Sequence, residues 1–273
     1  MRICTLGDLA LDVIVRLREP LARGADASSE ITIGAGGQAA NVAAWVCALG
    51  GHARYIGKRG DDAAGRAAAS ELAAQGVEIV GPVVADGRSG VVVSLVDADG
   101  ERTMCPDRGV AVELHPDELE PAWLEGCGWL HVSGYALFAE PVRSAALRAA
   151  ALARGAGARV SVDLASWTGI RDAGHDRVRA DLATLRPDVV FANEDEDEWV
   201  GGRVEGPSWI VKRGAAGCSF DGEELPALPV ADVVDTTGAG DALAAGWLVG
   251  GPELALAAAA RCVERAGSMP PRS

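Results

Sequence analysis

The sequence predicts an α/β protein: a mostly parallel central sheet between helices, with a small β-sheet set apart from it. Two observations carry this. From Gly128 onward, strand and helix candidates alternate at the spacing of βα units, and parallel neighbours need such helical crossovers. Ahead of the first helix, several short strand candidates follow one another directly, so some of them must belong to a second sheet. A chain of 273 residues can bury a substantial core, and one domain over 1–273 with an excursion is expected.

Residues 2–8 read as a first strand ending at Gly7-Asp8, 11–17 as a second, and 30–33 as extended again after a polar, Gly- and Pro-containing stretch. Gly36-Gly37 opens a helix running to about Leu49, which Gly50-Gly51 closes. A strand at 53–56, a loop at 57–61, a helix at 62–75 and a strand at 77–80 follow. Strands at 90–96 and 101–105 pair across Asp97-Ala98-Asp99-Gly100 as a hairpin. That hairpin is expected to join the early strands in the small sheet, a lid drawn from about 11–34 and 90–105. Further strands are placed at 129–132, 159–163, 189–192 and 209–212, with helices at 141–154, 176–185 and 194–200. A hairpin of 218–220 with 223–225, a short apolar strand at Val233 and Val234, and helices at 239–249 and 252–265 complete the chain.

Composition narrows the function. A formal charge of −14 and no basic stripe argue against nucleic acid as a partner. The six cysteines are dispersed, with no C-x-x-C, which suggests neither zinc nor a disulfide framework. Asp8 and Asp12 interrupt the first apolar run, spoiling a signal-peptide core, and no apolar run is long enough for a membrane span. A cytoplasmic protein without a membrane partner is expected.

Chemistry concentrates in Asp235-Thr236-Thr237-Gly238-Ala239-Gly240-Asp241. Its glycines let successive N–H groups converge at a helix start, where unpaired amides and roughly half a positive charge attract phosphate. Asp241 in the first turn can then accept the proton of an attacking hydroxyl, an arrangement suited to phosphoryl transfer. Ligands bind beyond the carboxyl ends of parallel strands, and Gly7-Asp8, Asp163, Asn193, Arg213-Gly214 and this loop all fall at such ends. Gly36-Gly37, with Asn41 one turn inside the helix, and Asp8 and Asp12 offer amide and carboxylate groups that suit a polyhydroxylated ligand. Asn193-Glu194-Asp195-Glu196 could hold Mg²⁺ at Glu196, with Asn193 on phosphate, or could be a capped acidic helix start. Lys212, one of only two lysines, could neutralise phosphates or lie on the surface; the other, Lys58, is given no chemistry. A G-x-x-x-x-G-K-[ST] loop is absent, as is a G-x-G-x-x-G fingerprint, and the four histidines stand apart from any catalytic motif.

These motifs, in this order, resemble the ribokinase-like (PfkB) family of carbohydrate and nucleoside kinases. The resemblance covers nearly the whole chain, through Asp12, the Gly36-Gly37 block, Gly100-Glu101-Arg102-Thr103, Asn193 to Glu196 and the 235–241 string. It implies a three-layer α/β/α ribokinase-like fold with a β lid, ATP and Mg²⁺ as donor, and Asp241 as general base, with Gly238, Ala239 and Gly240 in the anion hole. It implies acceptor contacts at Asp12, Gly36, Gly37, Gln38, Asn41 and Asp241, nucleotide contacts at Asn193, Lys212, Gly214, Gly217, Thr236, Gly238 and Gly240, and magnesium at Glu196. A monovalent cation such as K⁺ near Asp235 and Thr237 occurs in parts of the family.

Two departures bear on the substrate and the nucleotide. Leu164-Ala165-Ser166-Trp167 lacks the Asn and Arg of the family's ketodeoxysugar-acid kinases, and the tail after Arg265 is short, which leaves adenine contacts unassigned. A nucleoside acceptor would want aromatic faces from the lid, worth about 1 to 3 kcal/mol per stacked base. None lies between Leu9 and Gly34. A sugar or sugar-like polyol is therefore expected over a nucleoside, and over a non-catalytic sugar-binding relative, because Asp241 and its glycines are intact. Open edge strands make dimerisation through the lid an expectation.

Overall fold

The structure, a computed structural model, describes residues 1–97 and 102–271. The chain opens with β1 (Arg2–Leu6), β2 (Ala10–Leu17), β3 (Ser29–Gly36) and α1 (Gln38–Ala48). It continues with β4 (His52–Ile56), β5 (Arg59–Gly60), α2 (Ala63–Ala74), β6 (Glu78–Val80), β7 (Val83–Val84), β8 (Gly90–Val96) and β9 (Arg102–Asp107). Three short 3-10 turns then reach β10 (Cys127–Ser133) and α3 (Val142–Gly155). After β11 (Arg159–Asp163) come α4 (Trp167–Ala173), α5 (His175–Leu185), β12 (Val189–Asn193), α6 (Glu194–Val200) and β13 (Ser208–Lys212). The hairpin β14 (Cys218–Phe220) and β15 (Glu223–Leu225) precedes α7 (Ala239–Gly250) and α8 (Pro252–Val263).

Nine strands form the main sheet in the order β15-β14-β13-β12-β11-β10-β1-β4-β6, parallel from β13 to β6 and antiparallel through the β13-β14-β15 edge. One apolar core lies between the sheet and α1, α2, α7 and α8; the second lies between the sheet and α3 to α6. Near-continuous apolar strands such as Val189-Val190-Phe191-Ala192 are what a sheet covered on both faces requires. Helix α1 is buried from Gln38 to Val46 and packs against α7, since its alanines allow a close approach.

The small sheet runs β3-β2-β8-β9, so the early strands and the hairpin do share it. β2 and β8 pair in parallel. The hairpin turn anticipated at 97–100 falls largely outside the described residues. Lid strand β9 is exposed along its length, and β3 exposes Ile31 and Ile33.

The main correction concerns Val233 and Val234, which form no strand. Their side chains are exposed, and only the Val234 amide is tied down, to the Val263 carbonyl at 2.8 Å. The sheet ends on that side in the β14-β15 hairpin, with which the pair makes no ladder, so β-branched propensity alone did not make a strand. Helix α4 and the 3-10 turns of 109–124 were not anticipated, nor was the small β5-β7 pair. Asp62 caps α2 by accepting from the Gly65 amide at 2.8 Å, which moves that helix start one residue on.

Candidate active site

The rim at the carboxyl ends of β1, β11, β12 and β13 faces the first turn of α7. Gly238 caps that helix in the left-handed region at φ 79, and a Cβ there would meet Ser268 Cβ at 2.6 Å. Only glycine fits both constraints. In the turn it opens, the amides of Gly240 and Asp241 have no helical carbonyl four residues back, so they are free to meet an anion. Beneath Gly240 lies the Lys212 ammonium, 3.2 Å from where a Cβ would stand.

Lys212 is not a surface lysine. Its Nζ donates to Asp163 Oδ2 at 2.7 Å, and Asp163 has no exposure at all. Burial works against the ammonium, yet the carboxylates of Asp163 and Glu196 outweigh it and raise the Lys212 pKa above its ordinary value. A fixed cation thus lies under the candidate phosphate cradle.

Asp241 Oδ2 accepts from Asn41 Nδ2 at 2.7 Å, joining residues 200 positions apart through the α1–α7 packing. Burial pushes the Asp241 carboxyl up to about 8; Asn41's bond opposes the shift and Asp163's charge adds to it. Asn41 is oriented in turn by Ser268, whose hydroxyl donates to Asn41 Oδ1 at 3.0 Å and whose carbonyl accepts from Trp45 Nε1 at 2.9 Å. The tail therefore packs against Asn41, beside Asp241, as a strap that no motif in the sequence announced.

On the lid side, Asp12 lies against Gly36, where a Cβ would come within 2.0 Å of Asp12 Oδ2. Gly37 sits at φ 96 over the Asp8 backbone. Burial, reinforced by the Asp8 charge, pushes Asp12 up to about 7. Gln38 is turned inward and accepts from the Ser133 hydroxyl at 2.5 Å. Two residues that motif reading missed complete this side. Arg108 donates to Asp8 Oδ2 at 2.5 Å and stacks over the Tyr135 ring at 3.6 Å.

Asn193 and Glu196 form a reciprocal cap on α6. The Asn193 amide donates to Glu196 Oε2 at 2.8 Å, its Nδ2 to Oε1 at 2.9 Å, and the Glu196 amide to Asn193 Oδ1 at 2.8 Å. Glu196 is buried, and that burial raises its pKa while Lys212 pulls it down. Of the remaining anticipated contacts, Gly214 (φ 53) faces open space, whereas Gly217 is packed against the Leu225 carbonyl and serves the hairpin. Thr236 Oγ1 is engaged by Arg102 of the lid. The structure thus gathers Asp12, Asn41, Lys212, Glu196 and Asp241 around one corner and adds Asp163, Tyr135, Arg102, Arg108 and Ser268.

A helix-start phosphate cradle, a carboxylate in its first turn and a separate lid over a polar pocket define a phosphotransferase acting on a small hydroxylated molecule. Residues 1–269 match the pfkB family carbohydrate kinase model, and the chain belongs to that family: it is a carbohydrate kinase that uses ATP. It is 34% identical over 262 residues to the ATP-dependent ribose-1-phosphate kinase of Halopiger xanaduensis, and 32% identical over 270 residues to the fructokinase of Klebsiella pneumoniae. Each alignment covers 91% of this chain and 84% of the relative. In fold it matches the adenosine kinase of Sinorhizobium meliloti with a TM-score of 0.88 at 24% identity, over 98% of this chain and 95% of that one. The three-layer ribokinase-like architecture is therefore established.

Proposed function

We propose that the enzyme transfers the γ-phosphate of ATP to a hydroxyl of a sugar or sugar-like polyol, with Asp241 as general base. The observation that carries this is the meeting of Asp241, in the first turn of α7, with Asn41 from the glycine block of the acceptor side. The acceptor hydroxyl lies between Asp12 and Asp241 and gives its proton to the Asp241 carboxylate as its oxygen bonds to the γ-phosphorus. The bond from that phosphorus to the β,γ-bridging oxygen breaks, and ADP leaves. The Gly240 and Asp241 amides, with Lys212 beneath, stabilise the charge on the transferring group. Gly36, Gly37 and Gln38 shape the acceptor pocket.

Mg²⁺ fits the donor side. Each Glu196 oxygen accepts one bond from Asn193, leaving further acceptor capacity, and Mg²⁺ asks for one or two carboxylates plus phosphate oxygens and retained waters. Glu196 would hold the ion; when bound it would neutralise charge on the phosphates.

A sugar is favoured over a nucleoside because β2, β3, β8 and β9 carry no aromatic residue, and Tyr135 is covered by Arg108. The test is ADP release with fructose, ribose, ribose 1-phosphate and adenosine as acceptors. Faster turnover of adenosine would overturn the preference. Ile31, Ile33 and Met104 on the lid are exposed and suit a homodimer, which light scattering after size exclusion would register as a doubled mass.

A further inference from the structure

We infer that Arg102 is a positioning residue for phosphoryl transfer: from the lid, its guanidinium supplies the fixed positive charge that holds residues 235–237 ahead of the phosphate cradle, where a monovalent cation would otherwise bind. The inference rests on the reading of α7's first turn as the phosphate site and adds to it how that turn is held.

A free cation near Asp235 and Thr237 does not fit the residues present. Asp235 Oδ1 already accepts from Arg102 Nη1 at 2.8 Å, the Thr237 amide at 2.9 Å and the Thr237 hydroxyl at 2.7 Å. Asp235 Oδ2 accepts from the Gly267 amide at 3.0 Å, and Arg16 Nη2 stands 3.9 Å from it. Arg102 donates further to the hydroxyls of Thr236 and Thr237. The oxygens a small cation would need are thus filled by N–H and O–H donors.

Asp235 is only 9% exposed, and a buried carboxylate stripped of its cation is costly, so the guanidinium is needed where it lies. Burial opposes its ionisation, but the bonds from Thr237 and Gly267 and the charge of Arg102 together hold its pKa below the ordinary value. Gly238, the residue that sets the first turn of α7, follows this loop directly. Both arginines come from the lid, Arg102 on β9 and Arg16 on β2, four residues after Asp12. One sheet therefore covers the acceptor pocket and grips the donor loop.

The test compares the wild type with Arg102→Ala and Arg102→Lys in buffers of equal ionic strength containing tetramethylammonium, potassium or low, non-denaturing guanidinium chloride. MgATP binding is read by calorimetry, and thermal melting is read on the same proteins without nucleotide. The wild type is expected to bind MgATP equally in all three buffers. Arg102→Ala should bind about tenfold more weakly in tetramethylammonium and recover with potassium or guanidinium, with Arg102→Lys in between. A merely structural role would leave the alanine variant indifferent to cations, and that indifference overturns the proposal. So does a wild type whose affinity rises severalfold with potassium, or an alanine variant that binds as the wild type does. If the wild type bound no MgATP, the reading of α7's first turn as the phosphate site would fall instead, and the melts would still decide. Potassium raising the melting point of Arg102→Ala alone supports the assignment; raising that of the wild type overturns it.

Discussion

At the scale of single residues, the proposed mechanism turns on how Asp241 would be kept both basic and available. A carboxyl with a pKa of about 8 is a stronger proton acceptor than an ordinary one but is largely protonated at neutral pH. The kcat/KM for the acceptor should therefore rise about tenfold per pH unit below that value and level off above it. Steady-state ADP release across pH measures this, and an alkaline-flat, acid-flat profile would remove Asp241 from the step. Asp241→Asn should lower kcat by roughly 10²- to 10⁴-fold while MgATP still binds, because the amide keeps the shape and loses the base. Asp163→Asn makes a second residue-scale case. It leaves the Lys212 ammonium buried without its carboxylate, an arrangement that costs about 3–5 kcal/mol. Urea unfolding should show that loss, and the double change Asp163→Leu with Lys212→Met should recover part of it. Asp241 and Asn41 could be picked out of the sequence because each stands in a compact string with its glycines, whereas Asp12 could be picked out only through the family resemblance, since the Gly36 it packs against lies 24 residues on. Asp163 could be placed at a strand end but not given its partner, since Lys212 lies 49 residues on and the two meet only through the adjacency of β11, β12 and β13.

At the scale of elements, backbone freedom decides which glycines matter. Gly238 and Gly214 both have positive φ, but a Cβ at Gly238 would strike Ser268, and one at Gly214 would meet nothing within 4 Å. Gly214→Ala should cost only the conformational strain, about 1 kcal/mol. Gly238→Ala should cost more in denaturant unfolding, and it should also weaken MgATP binding in calorimetry, because the first turn of α7 and the Ser268 strap cannot both stay in place. Equal losses at the two positions would refute the strap. The elements the sequence revealed are those with a strong local signal: apolar β-branched runs covered on both faces, and alanine-rich helices bounded by glycine. Those it concealed lack one. Residues 109–124 form three short 3-10 turns whose apolar side chains Val110, Leu114, Leu119 and Leu124 are fixed by tertiary packing rather than by a helical period. Val233 and Val234 show the converse, a β-like pair left exposed in a loop and paired with no strand.

At the scale of the whole molecule, two populations of carboxylates pull stability in opposite directions with pH. Asp235, Asp62, Glu78, Glu118 and Glu140 have folded pKa values below their ordinary ones, so their contribution is present above those ordinary values and is lost as pH falls. Asp12 and Asp241 are shifted the other way, from 3.8 to about 7 and about 8. Their contribution is complete below 3.8 and is lost as pH rises through those higher values. The charge of −14 adds self-repulsion on the alkaline side. Stability of the free enzyme should therefore peak on the acid side of neutrality and decline toward pH 8, the range in which the proposed base Asp241 would become ionised. Thermal melting from pH 4 to 9 tests this, and the double change Asp12→Asn with Asp241→Asn should flatten the alkaline decline while leaving the acid limb in place. A decline of the same size in that variant would mean that the two buried acids are not its source. Such a profile would also account for the gathering of both acids at a single corner under a lid, since there bound acceptor and MgATP can offset the cost of their ionisation.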